Sequence, residues 1–484
     1  MRVRQFVGAV SLLALLAGCG GGGGSNSGTV IAGPTSAAPT PTPVATPTPT
    51  ASAGCTLRER QDWVAAQLRE WYLFPETLPA SLDPSGFTTV PAYLDALTAT
   101  ARGQRKDRFF TYVTSIAEEN AFYASGSTAG FGIRLSATQG GRIFIAEAFE
   151  GAPALNAGID RGSEILAVGT AESNLRTVAS IVAAEGTGGV NTALGPNTPG
   201  TTRVLRIADP GGAQRTVTIA KADFELPPVS NRYGAKIIQD GAKKVGYVNL
   251  RTFISTADPA LRQAFAGFKA QGVTEVIVDV RYNGGGLVSI AQLFGDLMGA
   301  NRSTSEVFNY LTFRPEKSSE NETRFFAPKA ESIAPAKIAF IGMGGSASAS
   351  ELLIASFIPY LRGNAALIGS NTFGKPVGQI ALDRASCDDR LRVVAFATQN
   401  AERRGDYYNG LASVVEKSCQ AIDDVSRPLG DPLESSTRSA LDFLGGRACT
   451  PIGSGALTEA ARAAPRELLT SAANTAQREV PGLF

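Results

Sequence analysis

Residues 275–286 read Glu275-Val276-Ile277-Val278-Asp279-Val280-Arg281-Tyr282-Asn283-Gly284-Gly285-Gly286. An apolar, β-branched run of this length is typical of a buried strand, and the three glycines allow a tight loop to follow it. Further strand candidates are Val245–Leu250 and Lys337–Ile341, and helix candidates are Leu261–Ala270 and the segment from Leu287. This alternation predicts an α/β core with buried parallel strands.

Two strands of this core run into glycine-rich loops. The first loop is Asn283-Gly284-Gly285-Gly286, and the second, Gly342-Met343-Gly344-Gly345, leads into Ser346-Ala347-Ser348-Ala349-Ser350-Glu351. Ligands of α/β folds usually bind where such strands end, and glycine lets backbone N–H groups approach one point. A helix is predicted from about Ser350, and the positive end of its dipole would stabilise negative charge, Glu351 included. These features favour an oxyanion hole beside a serine.

The chain contains no histidine, which excludes a Ser-His-Asp triad. A lysine that is neutral can take the serine proton instead, but a solvated lysine titrates near about 10.4 and has to be desolvated first. Lys375 lies among Phe373, Gly374, Pro376 and Val377, a weakly polar neighbourhood. Gln379, four residues on, can accept a hydrogen bond without adding charge, whereas an acidic partner would keep the lysine protonated. Taken singly, the serines could be helix caps, the lysine a surface cation and the glycines a turn.

Three segments together, Val280–Gly286, Ser346–Glu351 and Thr372–Gln379, resemble the C-terminal processing (tail-specific) protease family, which are Ser-Lys dyad peptidases with a PDZ domain. The resemblance covers roughly residues 56 to 380 and implies a ClpP/crotonase-like spiral core without metal or organic cofactor. By motif position it implies these roles: nucleophile Ser348, general base Lys375, orienting partner Gln379, and an oxyanion hole from the backbone of Ala349 with Gly284 or Gly285.

The chain departs from the family at two places. The separation of Ser348 from Lys375 is slightly longer than usual, and Pro376 stands where a glycine often follows the lysine. Both differences fall in a predicted loop. Beyond about Asp383 the match is poor, which leaves the details of the substrate groove open.

A β-rich segment, residues 126–228, precedes the core and ends in a hairpin signal, Asp209-Pro210-Gly211-Gly212. The stretch Gly130-Phe131-Gly132-Ile133, with residues 151–165 downstream of it, resembles a PDZ domain of the bacterial protease type. Such a domain would take a peptide as an added strand and bind its terminal carboxylate on backbone N–H groups. The resemblance implies peptide binding at Gly130, Phe131, Gly132 and Ile133; the alternative is a small β-barrel spacer.

The N-terminus reads as an export signal. Arg2 and Arg4 precede the apolar run Phe6–Leu16, which is too short to span a bilayer, and Leu15–Cys19 resembles a bacterial lipobox. This predicts a leader over residues 1–19 and lipidation of Cys19, the alternative being a plain secretory signal. Residues 20–54 are rich in Gly, Pro and Thr and predict a disordered tether. Because no aspartate follows Cys19, we expect a lipid-anchored protein of the bacterial cell envelope, on the outer membrane and facing the periplasm.

The remaining organisation is a helical cap over residues 55–125, the core over 229–450 and a helical tail over 451–484. Residues 302–335 are polar and poorly periodic and predict an inserted loop or excursion. Four cysteines follow Cys19 and predict two disulfides in an oxidising compartment. Three pairings are open, and the favoured one joins Cys387 to Cys419 and Cys55 to Cys449.

Composition and charge restrict the possible classes of binding partner. The 484 residues suffice for about three domains, and Lys plus Arg number 45 against 43 Asp plus Glu. Since this balance provides no basic face, we expect no nucleic-acid partner. The sequence predicts a lipid-anchored serine endopeptidase of the Ser-Lys type, and the family resemblance implies that its substrates are proteins with apolar C-terminal tails. The alternatives are an inert PDZ-type scaffold that binds C-termini, and an enzyme that uses the same oxyanion hole for another reaction such as thioester chemistry.

Overall fold

The computed structural model describes residues 54–453 and 466–468. The predicted leader with Cys19, residues 20–53 of the tether, and residues 454–465 and 469–484 lie outside the described residues. Among the helices of the described part, none combines the length and the apolar character needed to cross a membrane. The described chain is a mixed α/β protein that begins with a helical region.

The N-terminal region contains four helices and one strand: α1 (Leu57–Trp71), α2 (Val90–Leu97), α3 (Ala99–Gly103), β1 (Tyr112–Ser115) and α4 (Ile116–Ser125). Thr56 caps α1, because its side chain accepts from the backbone N–H of Glu59 while the Glu59 carboxylate accepts from the N–H of Thr56. Val64 and Leu68 are buried on the inner face of α1 in one cluster with Leu391 and Val393 of the core. The helical region therefore packs directly against the core.

The β-rich region contains β2 (Ser127–Gly130), β3 (Ile133–Ala137), β4 (Ile143–Ala148), α5 (Pro153–Asn156), β5 (Glu164–Gly169), β6 (Arg176–Thr177), α6 (Val178–Glu185), α7 (Gly188–Leu194), β7 (Thr202–Ala208), β8 (Gln214–Ala220) and β9 (Ala222–Glu225). Together with β20 (Arg466–Glu467), from the end of the described chain, it forms a seven-stranded sheet in the order β20-β3-β4-β5-β7-β8, with β6 beside β5; β2 pairs separately with β9. The predicted hairpin is present between β7 and β8, where Gly212 has φ +86°.

The core alternates strands and helices as predicted. Its elements are β10 (Ala235–Asp240), β11 (Lys243–Asn249), α8 (Ala257–Ala270), β12 (Glu275–Asp279), α9 (Val288–Leu297), β13 (Val307–Phe313), β14 (Glu322–Phe325), β15 (Lys337–Gly342), α10 (Ala349–Leu361), β16 (Ala365–Gly369), β17 (Val377–Arg384), β18 (Asp389–Gln399), β19 (Lys417–Gln420) and α11 (Ser435–Leu444). One sheet has the order β10-β11-β12-β15-β16-β19, and β11 to β19 are parallel.

The register of this sheet brings the two glycine-rich loops together. Asp279 at the end of β12 pairs with Ile341 near the end of β15. Adjacent parallel strands that end at the same level deliver the loops that follow them to one edge of the sheet. The loops that start at Val280 and Met343 are therefore neighbours.

A second sheet of the core includes β17, the strand that follows Lys375. It has the order β1-β18-β13-β14, and β17 pairs with β18. Residues 302–335, predicted as an inserted loop or excursion, contain the β13–β14 hairpin of this sheet. The strands themselves were not predicted, because β13 pairs with β18, more than 80 residues further along the chain.

Two predictions about covalent and terminal structure were wrong. The disulfides join Cys55 to Cys387 and Cys419 to Cys449, so all four cysteines pair, but with other partners than the favoured ones. The start of α1 lies against the turn between β17 and β18, which carries Cys387, because Arg384 donates to the Glu59 carbonyl. The N–H of Gln420, next to Cys419, donates to the carbonyl of Thr450, next to Cys449. In the predicted helical tail, Arg466–Glu467 is the strand β20, paired with β3. The edge of β3 supplies the hydrogen-bond partners that stabilise this strand.

Candidate active site

The structure distinguishes the three serines of the run. The Ser346 hydroxyl donates to the Val280 carbonyl at 2.8 Å, and the Ser350 hydroxyl donates to the Asn283 carbonyl at 2.9 Å. Both hydrogen bonds link residues 346–351, called here the serine segment, to the first glycine-rich loop. Ser348 lies at the N-terminus of α10, is half-buried, and has φ 55° and ψ −115°. A non-glycine residue with positive φ is strained, which is a feature of functional sites.

The first glycine-rich loop lies against Ser348. A Cβ atom on Gly285 would lie 2.6 Å from Ser348 Cβ and 3.0 Å from the Ala349 nitrogen, and Gly285 has φ +114°. Only glycine fits this position. The Gly285 N–H donates to Asn283 Oδ1 at 2.9 Å, so it is engaged within the loop. The Ala349 N–H belongs to the first turn of α10, where helical N–H groups have no partner within the helix.

Lys375 lies in the segment before β17 and is 4% exposed. Its Nζ donates to Gln379 Oε1 at 3.0 Å and lies 5.0 Å from the centre of the Phe110 ring. Gln379 Nε2 in turn donates to the Phe110 carbonyl, which fixes which way the amide faces. A neutral acceptor therefore contacts the amine, as the sequence predicted for Gln379, and the Phe110 ring, which was not foreseen, lies near it.

Glu351 connects the serine segment to residues 372–376, called here the lysine segment. Its buried carboxylate accepts hydrogen bonds from the backbone N–H groups of Ser348 (3.2 Å), Gly374 (2.7 Å) and Lys375 (2.7 Å). It also accepts from the Thr372 hydroxyl at 2.5 Å. Burial raises the pKa of Glu351, and these hydrogen bonds oppose the rise. The sequence assigned Glu351 only a favourable place in the helix dipole; its acidic side chain three residues after Ser348 was the available signal.

The helical region holds the lysine segment from the other side. Arg108 donates to the carbonyls of Phe373 (2.7 Å) and Gly374 (2.5 Å), and its guanidinium lies 4.1 Å from the Phe373 ring centre. Gly374 has φ +88°, and a Cβ there would lie 2.4 Å from the Tyr408 carbonyl oxygen. Arg108 and Phe110 were missed because they precede Lys375 by more than 260 residues and carry no local motif.

A buried ionic network lies behind the first glycine-rich loop. Arg281, fully buried, binds Asp279 at 3.0 Å and Glu434 through two contacts of 2.9 Å. Arg161 from the β-rich region donates to Tyr282 at 3.0 Å and to Asp423 at 2.8 Å, and Tyr282 donates to Asp423. The network thus joins the loop to the β-rich region and to residues beyond Asp383, where the sequence offered no guidance.

The segment predicted to bind peptides lies between β2 and β3. Phe131 and Ile133 are fully buried in the core of the β-rich region, and Gly132 has φ +74° with Ala152 directly against it. The carbonyls of Phe131 and Gly132 accept from the N–H groups of Ala154 and Phe149. Any peptide contact by these residues would therefore use backbone atoms. Their role in peptide binding stays a prediction.

Comparison with known proteins gives this site a family context. Residues 244–404 match the profile of peptidase family S41, and residues 59–112 match that of the peptidase S41 N-terminal domain. The larger matched region contains Ser348, Lys375 and Gln379, and the smaller one contains Arg108 and Phe110.

The proteins that the chain resembles include two curated relatives and one solved structure. It is 30% identical over 275 residues to the chloroplastic C-terminal processing peptidase of Tetradesmus obliquus, covering 54% of each chain. It is 28% identical over 263 residues to the chloroplastic carboxyl-terminal-processing peptidase 3 of Arabidopsis thaliana, covering 52% of this chain and 46% of that one. The chain therefore spans about half the length of these curated relatives. A crystal structure described as an S41 protease of Bacteroides fragilis shares the fold, with a TM-score of 0.60 and 23% identity over 79% of this chain and 97% of that one.

Proposed function

We propose that the protein is a serine endopeptidase of the C-terminal processing type that cleaves with Ser348 and Lys375. The observation that carries the proposal is Glu351, whose one carboxylate binds the backbone N–H groups of Ser348 and Lys375 and so sets the two residues in one site. The names of the relatives, C-terminal processing peptidases, support the reaction class. The intact serine and buried lysine make an inert scaffold the less favoured alternative.

In this mechanism the Lys375 amine takes the proton of the Ser348 hydroxyl as Oγ attacks the scissile carbonyl carbon. The C–O bond forms, and the electron pair of the carbonyl moves to its oxygen. When the tetrahedral intermediate collapses, the C–N bond breaks and the lysine proton passes to the leaving amine. Water then attacks the acyl carbon while Lys375 accepts one of its protons. The C–O bond to Ser348 breaks, that proton passes to Ser348 Oγ, and the product acid is released.

The oxyanion would be bound by the N–H groups of Ala349 and Gly284. Ala349 is the first residue of α10, so its N–H also lies at the positive end of the helix dipole. Gly284 is preferred to Gly285 because the Gly285 N–H already donates to Asn283. Gln379 would orient the lysine amine while adding no charge that would hold a proton on it.

We further propose that the β-rich region is a PDZ-like module that presents substrate tails to a ClpP/crotonase-like core. The strand order of the region and the loop between β2 and β3 are compatible with this reading. Substrates would be proteins with apolar C-terminal tails.

Export and lipid attachment at Cys19 are a separate proposal, supported by the lipobox-like sequence and by two disulfides, which form in oxidising compartments. In a bacterial host, the wild type should fractionate with the outer membrane and Cys19→Ser should appear unlipidated. An unlipidated wild type would contradict the anchor.

The activity is tested by intact-mass analysis after incubation with a serine-directed fluorophosphonate. We expect one adduct on the wild type that maps to Ser348 and is absent from Ser348→Ala and Lys375→Ala. Both variants should fold normally by circular dichroism. An adduct on another serine, or an unchanged rate in Lys375→Ala, would contradict the assignment.

A further inference from the structure

Residues 466–468 lie along the outer edge of β3 and extend its sheet. Arg466 pairs with Ala137 and Glu467 with Ser136 in antiparallel register, and the Leu468 N–H donates to the Leu135 carbonyl at 2.9 Å. The direction of the strand takes it toward Ile133 and the loop between β2 and β3. Strand addition at a sheet edge is a common way for a protein to bind an extended peptide.

The side chains of Glu467 and Leu468 are both buried against the β-rich region. The Leu468 side chain joins the core of the β-rich region beside Leu135 and Ile145. The Glu467 side chain, 5% exposed, lies 3.8 Å from Arg134, measured from Oε1 to Nη1. The edge of β3 therefore provides one position for an acidic side chain and an adjacent position for an apolar one.

The acidic position also contacts the loop that leads to the serine. A Cβ atom on Gly345 would lie 1.8 Å from Glu467 Oε2, so the carboxylate rests directly against the Gly345 backbone. Gly345 precedes Ser348 by three residues. An occupant of this groove thus touches the β-rich region and the active-site loop at once.

The present occupant is held imperfectly. Among the described residues, neither carboxylate oxygen of Glu467 has a hydrogen-bond partner. A buried acceptor left without a donor is destabilising, which offsets part of the gain from burying Leu468. A strand this short with such a defect can be replaced by a better-matched one.

We infer that the edge of β3 and the Gly345 backbone form a groove for extended peptides carrying an acidic residue followed by an apolar one, and that residues 466–468 are its resident, displaceable occupant. The groove would act in substrate recognition, so this role rests on the proposed function. A substrate segment entering the groove replaces the chain's own strand and contacts the loop that carries Ser348.

The test measures binding of a fluorescein-labelled peptide with the sequence of residues 463–470, Ala-Ala-Pro-Arg-Glu-Leu-Leu-Thr, to the full chain carrying Ser348→Ala. A tethered occupant competes at high effective concentration. Leu468→Asp, which removes the occupant's apolar anchor, should therefore tighten binding of the added peptide by at least about tenfold. Leu433→Asp, at an exposed leucine, is the matched control and should leave affinity unchanged. Glu467→Lys, which places a cation beside Arg134, is a second way to release the strand.

The acidic position is tested separately. A Cβ on Gly344 meets nothing within 4 Å, whereas one on Gly345 invades the carboxylate position. In the chain carrying Ser348→Ala and Leu468→Asp, Gly345→Ala should weaken peptide binding and Gly344→Ala should not. A peptide with lysine in place of the glutamate should also bind more weakly.

Equal affinity for the parent and both released variants, or binding to none of them, would overturn the inference. Since every protein in this assay lacks the Ser348 hydroxyl, its outcome does not depend on catalysis. A wild type that forms no fluorophosphonate adduct but shows the expected competition would contradict the proposed function alone. An adduct with unchanged peptide affinity would contradict this inference alone.

Discussion

At the scale of single residues, the site depends on side chains that fix backbone rather than on those that react. Ser346 and Ser350 bind carbonyls of the first glycine-rich loop, while Glu351 binds N–H groups of both the serine and the lysine segments. A positioning role of this kind predicts that small changes at Glu351 affect the reaction without removing either reacting group.

Glu351→Gln should slow acylation of Ser348. The amide replaces one acceptor oxygen with a donor that faces N–H groups, so at least one buried hydrogen bond is lost, at about 1–3 kcal/mol. We expect the fluorophosphonate rate to fall by about 10- to 100-fold with the adduct still on Ser348. Glu172→Gln, at an exposed glutamate, is the control and should react at the wild-type rate. A wild-type rate for Glu351→Gln would show that the hydrogen bonds of its carboxylate are dispensable.

Gly285→Ala should reduce activity more severely than Gly344→Ala. The new methyl group at residue 285 would approach Ser348 Cβ to 2.6 Å at φ +114°, so the serine or the loop has to move. A displacement on this scale costs about 10²-fold in rate. Peptide hydrolysis and the acylation rate of both variants measure the difference; comparable rates would mean that the loop yields without disturbing Ser348.

At the scale of secondary-structure elements, β20 is the element least determined by its own sequence. It consists of two residues, and its described surroundings come from β3 and from the loop after β15. Charged groups from three elements face Glu467: Arg134 on β3, Glu147 on β4 and Asp423 after β19. The stability of this element should therefore depend on pH.

Burial raises the pKa of docked Glu467 to about 8 from an ordinary value of 4.5; Arg134 opposes the rise, and Asp423 and Glu147 add to it. Because the docked state binds the proton more tightly, docking is at full strength below about pH 4.5 and is lost as pH rises toward 8. As the resident strand is released, the affinity of the added peptide for the chain carrying Ser348→Ala should rise with pH between about 4.5 and 8, by up to about tenfold per pH unit. The peptide's own glutamate is replaced by glutamine so that only the resident strand titrates. Glu467→Gln in the chain should remove the dependence; an unchanged pH profile would contradict the assignment to Glu467.

At the scale of the whole molecule, the regions are joined by buried contacts and by one disulfide between cysteines that lie far apart in the sequence. Cys55 and Cys387 are separated by 332 residues, and this bridge fastens the helical region to the β17–β18 turn. Arg161, Arg281, Asp423 and Glu434 come from three parts of the chain and meet behind the active site. Removing one charge there should therefore destabilise the fold.

Glu434→Gln should lower the free energy of unfolding by about 3 kcal/mol, since it leaves the buried Arg281 guanidinium under-compensated. Burial opposes ionisation of Glu434, but Arg281 and Arg161 outweigh it and lower its pKa to about 2. Its contribution is thus fully present above about pH 4.5 and is lost as pH falls through 2. Urea unfolding at pH 7 measures the difference. Glu76→Gln, which weakens an exposed pair with Lys106, should cost under about 1 kcal/mol. Equal effects of the two substitutions would contradict the role of the network.

The sequence by itself determined the parallel core and the location of its loops. The strands around Val278 and Phe340 are continuous apolar runs, and their period and flanking glycines are local signals that tertiary contacts reinforce. The absence of histidine and the order Ser348, Lys375, Gln379 likewise restricted the chemistry, because both are properties of the chain and not of its folding.

Only the tertiary structure decided which distant segments meet. Distant partners determine the β13–β14 hairpin, the Cys55–Cys387 disulfide and the strand at Arg466–Glu467. The local hydrophobic periodicity of a segment cannot predict which distant segment it will pair with. The same holds for Phe110 beside Lys375 and for Glu467 beside Gly345. A residue's type is written in the sequence, but its neighbours across space are set by the packing of the whole chain, where burial and hydrogen bonding outweigh local preference.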